Sequence, residues 1–438
     1  MHKVTVIGGG LAGAEAAMQL ANRNIHVTLF EMKPGKFSSA HSNAHLAELV
    51  CSNSLKSQRE NTAPYLLKWE MARHNSIVLK AAEATKVKAG GALAVDRDAF
   101  SAYITEAIEA HPSIEIVHEE VTVLPEKTRT IVATGPLTSD GLFQSIQQAA
   151  GMDSLYFFDA AAPIVEGSSV DMTRAFFAGR YDQDADYLNC PLTKEEYDAF
   201  YEALLAAERA PISDADKAIH FEGCMPIEVL AGRGEKTPLF GPMSPKGLTN
   251  PTTGRWPYAV VQLRKEDEAG RLLNIVGFQT NLKFSEQKRV FSMIPALKQA
   301  EFVRYGVMHR NTYLHSPKVL DEQLRLKGRE NISFVGQITG VEGYVESAAS
   351  GIIGGIFAAC EIWGKPAPYY PPSTMMGALL NYVTHYNGKD FQPMNGNFGI
   401  LSPLQEQVKG KKARHEAMVT RAQKEITRII NDMGKEEF

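Results

Sequence analysis

The chain has 438 residues, of which 44% are hydrophobic and 22% are charged. This composition is typical of a folded globular protein and excludes a disordered or fibrous chain, while the length predicts two or three structural units. The formal net charge of −4 argues against indiscriminate binding to nucleic acid, although it leaves room for local basic surfaces.

The sequence shows no targeting, membrane or metal signal. The first residues lack the succession of positive, apolar and small residues of a signal peptide. The longest apolar stretch, AASGIIGGIFAACEIWG, is broken by glycines and a glutamate and is too short for a bilayer. The four cysteines, Cys51, Cys190, Cys224 and Cys360, include no C-x-x-C pair and no metal-like cluster with histidine. We therefore expect a cytoplasmic protein with reduced thiols, no membrane association and no metal.

The N-terminal segment KVTVIGGGLAGAEAAMQLANRNIHVTLFEMKP predicts a strand, a glycine-rich turn, a helix and a second strand. In a G-x-G-x-x-G turn the three glycines permit a tight turn, the approach of a pyrophosphate, and close packing of helix on strand. The phosphates then lie at the positive end of the helix. Glu31 ends the second strand, where a carboxylate can accept hydrogen bonds from ribose hydroxyls. The predicted dinucleotide site comprises Gly8, Gly9, Gly10, Leu11, Ala12, Gly13 and Glu31.

The stretch ELVCSNSLKS places Cys51 between an apolar run and small polar residues. One interpretation is a helix-capping loop with an incidental cysteine. The other is a reactive thiol, because the hydroxyl and amide donors of a Ser-Asn-Ser turn can stabilise a thiolate. The stretch by itself leaves both interpretations open.

Two later segments bear on the identity of the dinucleotide. RTIVATGP is a predicted strand that ends in Thr134-Gly135, and ISFVGQITGVEGYVESAASGIIGGIFAA is a strand, a glycine-rich turn and a helix. This order resembles that of two-domain flavoproteins of the glutathione-reductase type, in which the late helix faces the flavin. Most of those proteins have Asp where this chain has Gln337.

A second G-x-G-x-x-G is absent from the sequence. We therefore expect FAD as the resident cofactor and transient binding of NADH or NADPH. The flavoprotein likeness adds Thr134, Gly135, Gly336, Gln337, Gly343 and Tyr344 to the predicted cofactor site. The Tyr344 ring could stack on the flavin or on a substrate base, or it could be a packing aromatic.

The predicted fold class is α/β: a glutathione-reductase-like FAD-binding Rossmann domain with an inserted α/β domain. Residues 1–150 and 331–438 would form the FAD domain, the latter with a C-terminal helical segment, and residues 151–330 the inserted substrate or tRNA domain. The middle part contains short strands such as NIVGFQT and a helix whose capping box is Thr193 and Glu196. It also contains a long Pro/Gly-rich loop, a length that usually indicates function or disorder.

The remaining cysteines differ in their surroundings. Cys224 precedes Pro226, a favoured residue of a first helical turn, so a helix dipole could stabilise its thiolate. Cys190 also precedes a predicted helix, whereas Cys360 lies at the apolar end of one and is expected in the core. A dithiol flavoenzyme remains an alternative, but it needs two thiols within about 7 Å, and Cys51 and Cys224 share no local motif.

Longer segments resemble the folate- and FAD-dependent tRNA (uracil-54-C5) methyltransferase family from Lys3 to roughly Pro403. They are ELVCSNSLKS, AGGALAVDRDAF, RYDQDADYLNCPLTKEEYDAFYEALL, HFEGCMPIEVLAGRG, LFGPMSPKGL, GFQTNLKFSEQKRVFSMIPALKQAEFVRYGVMHRNTY and FVGQITGVEGYVESAASGI. The resemblance implies an enzyme that forms 5-methyluridine at position 54 of the tRNA T loop. It also implies 5,10-methylenetetrahydrofolate as carbon donor, FAD with NADH or NADPH as reductant, and catalytic roles for Cys51 and Cys224. No obligate protein partner is expected.

This chemistry accounts for thiols and a flavin in one protein. Carbon 5 of uracil is a poor nucleophile, and addition of a thiolate to carbon 6 activates it. The folate carbon needs two further electrons to become a methyl group, and a reduced flavin can supply them. One cysteine attacks carbon 6 and the other protects it or acts as a base; the sequence does not assign these roles. The uridine must leave the folded tRNA to react.

Two alternative functions stay open. One is modification of the wobble uridine by a longer related flavoprotein, which requires a partner GTPase. The other is an FAD-stabilised RNA-binding protein without enzymatic activity. A tRNA substrate fits the segment 277–330, which holds ten Lys or Arg against five Asp or Glu. Its candidate phosphate contacts, each of which could instead be an ordinary surface charge, are Lys283, Lys288, Arg289, Arg304 and Arg310.

Overall fold

A computed structural model describes residues 2–151, 155–182, 184–210, 225–388 and 390–435. The strands are β1 (Lys3–Ile7), β2 (His26–Phe30), β3 (Ser54–Ser57), β4 (Lys86–Val87), β5 (Ala92–Val95), β6 (Ile114–Val117), β7 (Thr130–Val132), β8 (Leu155–Ala160), β9 (Ile164–Glu166), β10 (Phe176–Ala178), β11 (Tyr187–Leu192), β12 (Ala259–Lys265), β13 (Leu272–Ile275), β14 (Phe302–Arg304), β15 (Met308–Tyr313), β16 (Arg325–Leu326) and β17 (Arg329–Phe334). The helices are α1 (Leu11–Ala21), α2 (Ala63–Arg73), α3 (Ile77–Ala84), α4 (Arg97–Glu109), α5 (Asp140–Ala150), α6 (Lys194–Ala206), α7 (Ile227–Gly232), α8 (Thr237–Phe240), α9 (Phe284–Phe291), α10 (Ser316–Val319), α11 (Tyr344–Ile362), α12 (Met375–His385) and α13 (Lys411–Lys435).

The first six-stranded sheet combines early and late parts of the chain. Its order is β16-β17-β7-β1-β2-β6, and every pair is parallel except β16 with β17. Val4 and Val6 of the central strand β1 are fully buried, as expected for a parallel sheet that is covered on both faces. The turn after β1 therefore lies at the carboxyl edge of the sheet, between β2 and β7, where open α/β sheets bind ligands.

Helices α1 and α11 pack closely against each other beside this sheet. A Cβ atom at Gly351 would lie 2.1 Å from the carbonyl oxygen of Ala12, so only glycine permits this approach. Within the described residues, α11 is the one helix with the length and apolar composition of a membrane span. Sixteen of its residues are buried inside the protein, so it serves as a core helix here.

The second six-stranded sheet is antiparallel, with the order β10-β11-β12-β13-β9-β14. It has its own hydrophobic core, in which Phe278 contacts Phe200 in a tilted arrangement and Phe291 edge-to-face. The chain enters and leaves this sheet through β8 and β15, which pair with each other. The separate core agrees with an inserted unit, while the limits at residues 150 and 330 stay a prediction.

The structure tests two local predictions in this part of the chain, a capping box and the length of a strand. The predicted capping box of α6 is confirmed: Thr193 accepts the backbone N–H of Glu196, and the Glu196 side chain accepts that of Thr193. The predicted strand NIVGFQT is shorter than expected, because β13 ends at Ile275. Gly277 has a φ of 77°, a left-handed conformation that turns the chain out of the strand.

Candidate functional site

The three glycines of the first turn have different surroundings. Gly8 has a φ of 100°, and a Cβ atom there would lie 2.8 Å from the carbonyl oxygen of Ala133. A Cβ atom at Gly13 would lie 1.8 Å from the carbonyl oxygen of Gly8. Gly10, by contrast, has no neighbouring heavy atom within 4 Å of that position. This open space lies directly before α1, where backbone N–H groups and the helix dipole attract phosphate.

Glu31 lies against the glycine turn. Its carboxylate accepts the backbone N–H of Gly9 at 2.8 Å and that of Lys33 at 3.0 Å. Each carboxylate oxygen has a further lone pair available. Glu31 is therefore fixed in orientation and can still accept hydrogen bonds from ribose hydroxyls.

A cleft at this edge of the sheet contains about 1070 Å³ of empty space, part of it open to solvent. Eleven of the predicted cofactor residues line it: Gly8, Gly9, Gly10, Leu11, Ala12, Glu31, Thr134, Gly135, Gly336, Gln337 and Tyr344. Gly13 is instead packed beneath the turn, and Gly343 is the N-cap of α11, where a Cβ atom would lie 2.4 Å from the Glu346 carboxylate. The open glycine turn, the oriented carboxylate and the size of the cleft fit FAD.

A buried ion pair forms part of the cleft wall and was not predicted from the sequence. The Lys33 ammonium lies 3.5 Å from the Glu48 carboxylate, and their side chains are 3% and 6% exposed. Glu48 also accepts both the backbone N–H and the hydroxyl of Ser42. Burial and the Lys33 charge lower the pKa of nearby His41, so this ring is neutral at pH 7. No local motif predicts this network, because it joins three separate turns.

The Cys51 turn is connected directly to the cleft. The Tyr344 hydroxyl accepts the backbone N–H of Cys51 at 2.7 Å and that of Ser52 at 3.1 Å. Tyr344 is the first residue of α11 and lines the cleft. Burial raises the pKa of its hydroxyl, which therefore stays protonated. The backbone of the half-buried Cys51 is thus bonded directly to a residue of the cleft wall, and its Sγ lies 4.0 Å from the carbonyl oxygen of Ala160.

Three arginines bond to the turn around Cys51, two of them to its backbone and the third to its side chains. Arg97 donates to the carbonyls of Leu49 at 2.9 Å and Cys51 at 3.4 Å, and it pairs with Glu266. Arg304 donates to the carbonyl of Val50 at 3.1 Å. Arg264, from β12 of the second sheet, donates to the hydroxyl of Ser52 and to the side chain of Asn53, each at 2.8 Å.

These guanidinium groups also set the charge around the thiol. Burial lowers the pKa of Arg304, and the charge of Arg97 lowers it further, while Tyr344, Glu48 and Cys51 act in the opposite direction. A negative charge on Cys51 would therefore be stabilised by Arg304. Cations near a cysteine favour its thiolate.

The sequence interpretation of the Ser-Asn-Ser turn was wrong in one respect. The amide group of Asn53 donates to the carbonyls of Val95 and Lys265, each at 3.0 Å, and not to the thiol. The Ser52 hydroxyl oxygen accepts both Arg264 and the backbone N–H of Ser54. The turn is thus a buried connection to the second sheet, and the nearby positive charge comes from arginines far away in the sequence.

The other cysteines have different positions. Cys190 is fully buried in the core of the second sheet, and burial raises its pKa to about 12. Cys360 is buried in the first core, as expected. Cys224 lies outside the described residues, so its proposed place opposite Cys51 stays a prediction. In the part of the chain that the structure describes, no group of His, Cys, Asp and Glu could hold a metal ion.

The candidate phosphate contacts fall into two groups. Lys283, Lys288 and Arg289 are exposed on α9 or at its N-cap. Arg304 is half-buried beside Cys51, as described above, and the side chain of Arg310 lies outside the described part of the structure. The exposed group can therefore face a partner.

The parallel sheet, the glycine turn, the oriented acid and the cleft together define a flavoprotein with a Rossmann-type FAD-binding fold. Two solved structures of Aquifex aeolicus GidA have similar folds, with TM-scores of 0.70 and 0.71 at 15% and 16% identity. They cover 98% and 99% of this chain, which covers 74% and 78% of theirs. The predicted fold class is confirmed.

Closer relatives identify the family. Residues 3–366 match the family described as glucose inhibited division protein A. A protein of Desulforamulus reducens is 56% identical over 96% of both chains, and one of Anoxybacillus flavithermus is 53% identical over 98% of this chain and 100% of its own. Both are named Methylenetetrahydrofolate--tRNA-(uracil-5-)-methyltransferase TrmFO. This chain belongs to the TrmFO family, as the sequence motifs predicted.

Proposed function

We propose that this protein forms 5-methyluridine at position 54 of the tRNA T loop. The carbon would come from 5,10-methylenetetrahydrofolate, and NADH or NADPH would supply the reducing equivalents through FAD. Membership of the TrmFO family supports the reaction class. The observation that carries the proposal for this chain is the shared role of Tyr344, which lines the cofactor cleft and holds the backbone of Cys51.

The reaction replaces the hydrogen at carbon 5 of uracil with a methyl group. Carbon 5 loses a proton and bonds to the folate carbon, which leaves the folate and gains a hydride. When bound, reduced FAD supplies the two electrons for this step. Cys51 and Cys224 are the proposed catalytic thiols, one of which adds to carbon 6 and is later released.

The remaining site residues bind and orient. The open space at Gly10 admits a pyrophosphate, and Glu31 holds a ribose. Arg97 and Arg304 keep positive charge near Cys51, which favours the reactive thiolate. The target uridine must be extruded from the folded tRNA at a cost of a few kcal/mol. We propose a cytoplasmic enzyme that needs no protein partner for this reaction.

One assay distinguishes the proposed function from its alternatives. An unmodified tRNA transcript is incubated with the purified protein, methylenetetrahydrofolate and NADH or NADPH, and its nucleosides are analysed. We expect 5-methyluridine at position 54 without any added protein. Absence of methylation without a partner, with wobble-uridine modification once a GTPase is added, would support the first alternative. Binding of tRNA without any product would support the RNA-binding alternative.

Replacement of Cys51 tests the proposed thiol. Cys51→Ala should reduce the rate of methylation by orders of magnitude, because a nucleophile or its protecting group is lost. Its FAD content should be unchanged. The matched control is Cys190→Ala, which should methylate tRNA with a stability loss of about 1–3 kcal/mol. A T-arm RNA with 5-fluorouridine should also form a covalent adduct with one of the two catalytic cysteines. A near wild-type rate for Cys51→Ala would show that this turn has no chemical role.

A further inference from the structure

Three aromatic side chains form a stack at the surface of the second sheet. The ring centroids of Phe284 and Tyr305 are 5.0 Å apart with planes 15° from parallel, and those of Tyr305 and Phe302 are 5.6 Å apart and 4° from parallel. Phe302 packs against the buried core of this sheet. Phe284, at the other end, is 54% exposed. We call these residues the aromatic stack; it begins in the core and ends at a ring accessible to a partner.

The exposed end of the stack lies among cations. Phe284 is the first residue of α9, and Lys283 is its N-cap. Lys288 is four residues after Phe284 and therefore shares its face of the helix. Among the described residues, two acids pair with these cations: Glu208 with Lys283, and Glu286 on α9 itself with Arg289. Exposed ion pairs of this kind are weak, so phosphate groups can replace these carboxylates.

The aromatic stack is linked in space to the Cys51 turn through Arg304. Arg304, between Phe302 and Tyr305, donates to the carbonyl of Val50, the residue before Cys51. An open aromatic ring with adjacent Lys and Arg side chains is the arrangement by which proteins bind unpaired bases and their phosphates. A purely apolar partner would leave these charges uncompensated.

We propose that the aromatic stack binds an unpaired base of the tRNA substrate on the exposed face of Phe284, with Lys283 and Lys288 contacting the flanking phosphates. This inference rests on the proposed function in taking tRNA as the partner. It adds a second point of attachment, separate from the extruded uridine. The stack then positions the T-arm while the uridine enters the cleft.

Binding of unmodified tRNA transcript to the FAD-loaded protein tests the inference. Phe284→Ala should raise the dissociation constant about 5- to 100-fold, since one base loses its stacking partner, and FAD content should not change. Phe284→Trp should restore affinity, which a merely structural role for the side chain would not explain. Lys288→Ala should reduce the slope of log affinity against log salt by about 0.7–0.9. The matched control is Tyr369→Ala, an aromatic residue that is 72% exposed away from α9.

The outcomes separate this inference from the proposed function. If the wild type binds and methylates tRNA and Phe284→Ala binds it equally well, the inference is wrong. The inference would also be wrong if Phe284→Ala sedimented differently from the wild type and bound tRNA with the same affinity. The aromatic stack would then be a contact between two copies of this chain. If Phe284→Ala weakens binding but the wild type makes no 5-methyluridine, the inference stands and the proposed function fails.

Discussion

Gly10 and Gly13 belong to one motif, yet their surroundings predict different effects of the same substitution. A Cβ atom at Gly10 meets no atom of the protein, whereas one at Gly13 would overlap the Gly8 carbonyl. Gly10→Ala should therefore fold normally and lose FAD affinity by about tenfold or more, because the methyl group occupies the space of the pyrophosphate. Isothermal titration of the apoprotein with FAD measures this loss.

The control for Gly10→Ala is Gly434→Ala, which places a methyl group at an open position of α13. It should leave FAD affinity unchanged. Gly13→Ala should instead reduce the yield of folded protein, since the backbone must move to admit the new atom. Equal FAD affinity for Gly10→Ala and the wild type would contradict the assignment of the phosphate position.

Arg264 is the residue that most directly connects the second sheet to the Cys51 turn. Arg264→Gln removes the hydrogen bonds to Ser52 and Asn53 and should loosen the turn. We expect kcat to fall about 10- to 100-fold, because small displacements of a reacting group are costly. The pH profile of Cys51 alkylation, followed by peptide mass spectrometry, should shift to higher pH because a nearby cation is lost.

Arg271→Gln is the matched control for Arg264→Gln. Arg271 is close in sequence, but its side chain is 79% exposed and pairs with Asp267 at the surface. This variant should retain both kcat and the alkylation profile. If Arg264→Gln also retains both, while its FAD content is normal, then Arg264 is not a positioning residue.

At the level of elements, two buried titratable groups join the end of α2 to α12 and to the segment before it. Glu70 accepts the backbone N–H groups of Met375 and Met376 at the start of α12. The His74 ring is bonded through Nδ1 to the carbonyl of Glu70 and through Nε2 to the Tyr370 hydroxyl. Because a carbonyl only accepts, Nδ1 carries the proton, and the neutral ring accepts the Tyr370 hydroxyl at Nε2.

The two groups change stability with pH in opposite directions. Burial raises the pKa of Glu70 from 4.5 to about 8, although the N–H groups of α12 partly offset this rise. The contribution of Glu70 to the free energy of unfolding is therefore lost as pH rises from 4.5 toward 8. Burial lowers the pKa of His74 from 6.5 to about 4. The contribution of His74 to the free energy of unfolding is present above pH 6.5 and is lost as pH falls toward 4.

We predict that His74→Gln removes the loss of stability that His74 causes as pH falls from 6.5 to 4. As pH falls through this window, the free energy of unfolding of the wild type should decrease by up to about 3 kcal/mol relative to that of the variant. This is the energy that corresponds to the pKa shift of His74. Urea unfolding at a series of pH values measures both free energies of unfolding. The difference between wild type and variant at each pH cancels the contributions of other groups. His45→Gln, at an exposed histidine, is the control. Parallel curves for the wild type and His74→Gln would contradict the neutral, buried ring.

At the scale of the whole molecule, the sequence predicted what depends on local pattern. The glycine turn, Glu31 and the late Gly336-containing segment all meet at one sheet edge, because strand-turn-helix units place their turns there. The surroundings of Cys51 could not be predicted in this way. Arg264 is 211 residues from Asn53, and no periodicity or spacing encodes a contact made through the packing of two sheets.

Gly343 shows a second limit of sequence reasoning. The cofactor contact predicted for it stays a prediction; what the structure shows is a φ of 115° and a position as N-cap of α11, beside Lys56 and Glu346. A glycine required by backbone conformation and one required by a ligand look the same in a single sequence. The surrounding atoms distinguish them, as they do for Gly10 and Gly13.

The central claim is that this protein transfers a folate carbon to tRNA and reduces it there. The most direct test uses methylenetetrahydrofolate with two deuterium atoms in the methylene group, an unmodified tRNA transcript and unlabelled NADH or NADPH. We predict 5-methyluridine at position 54 with two deuterium atoms in its methyl group, and loss of this product in Cys51→Ala. Absence of deuterium from the methyl group, or of 5-methyluridine altogether, would contradict the account.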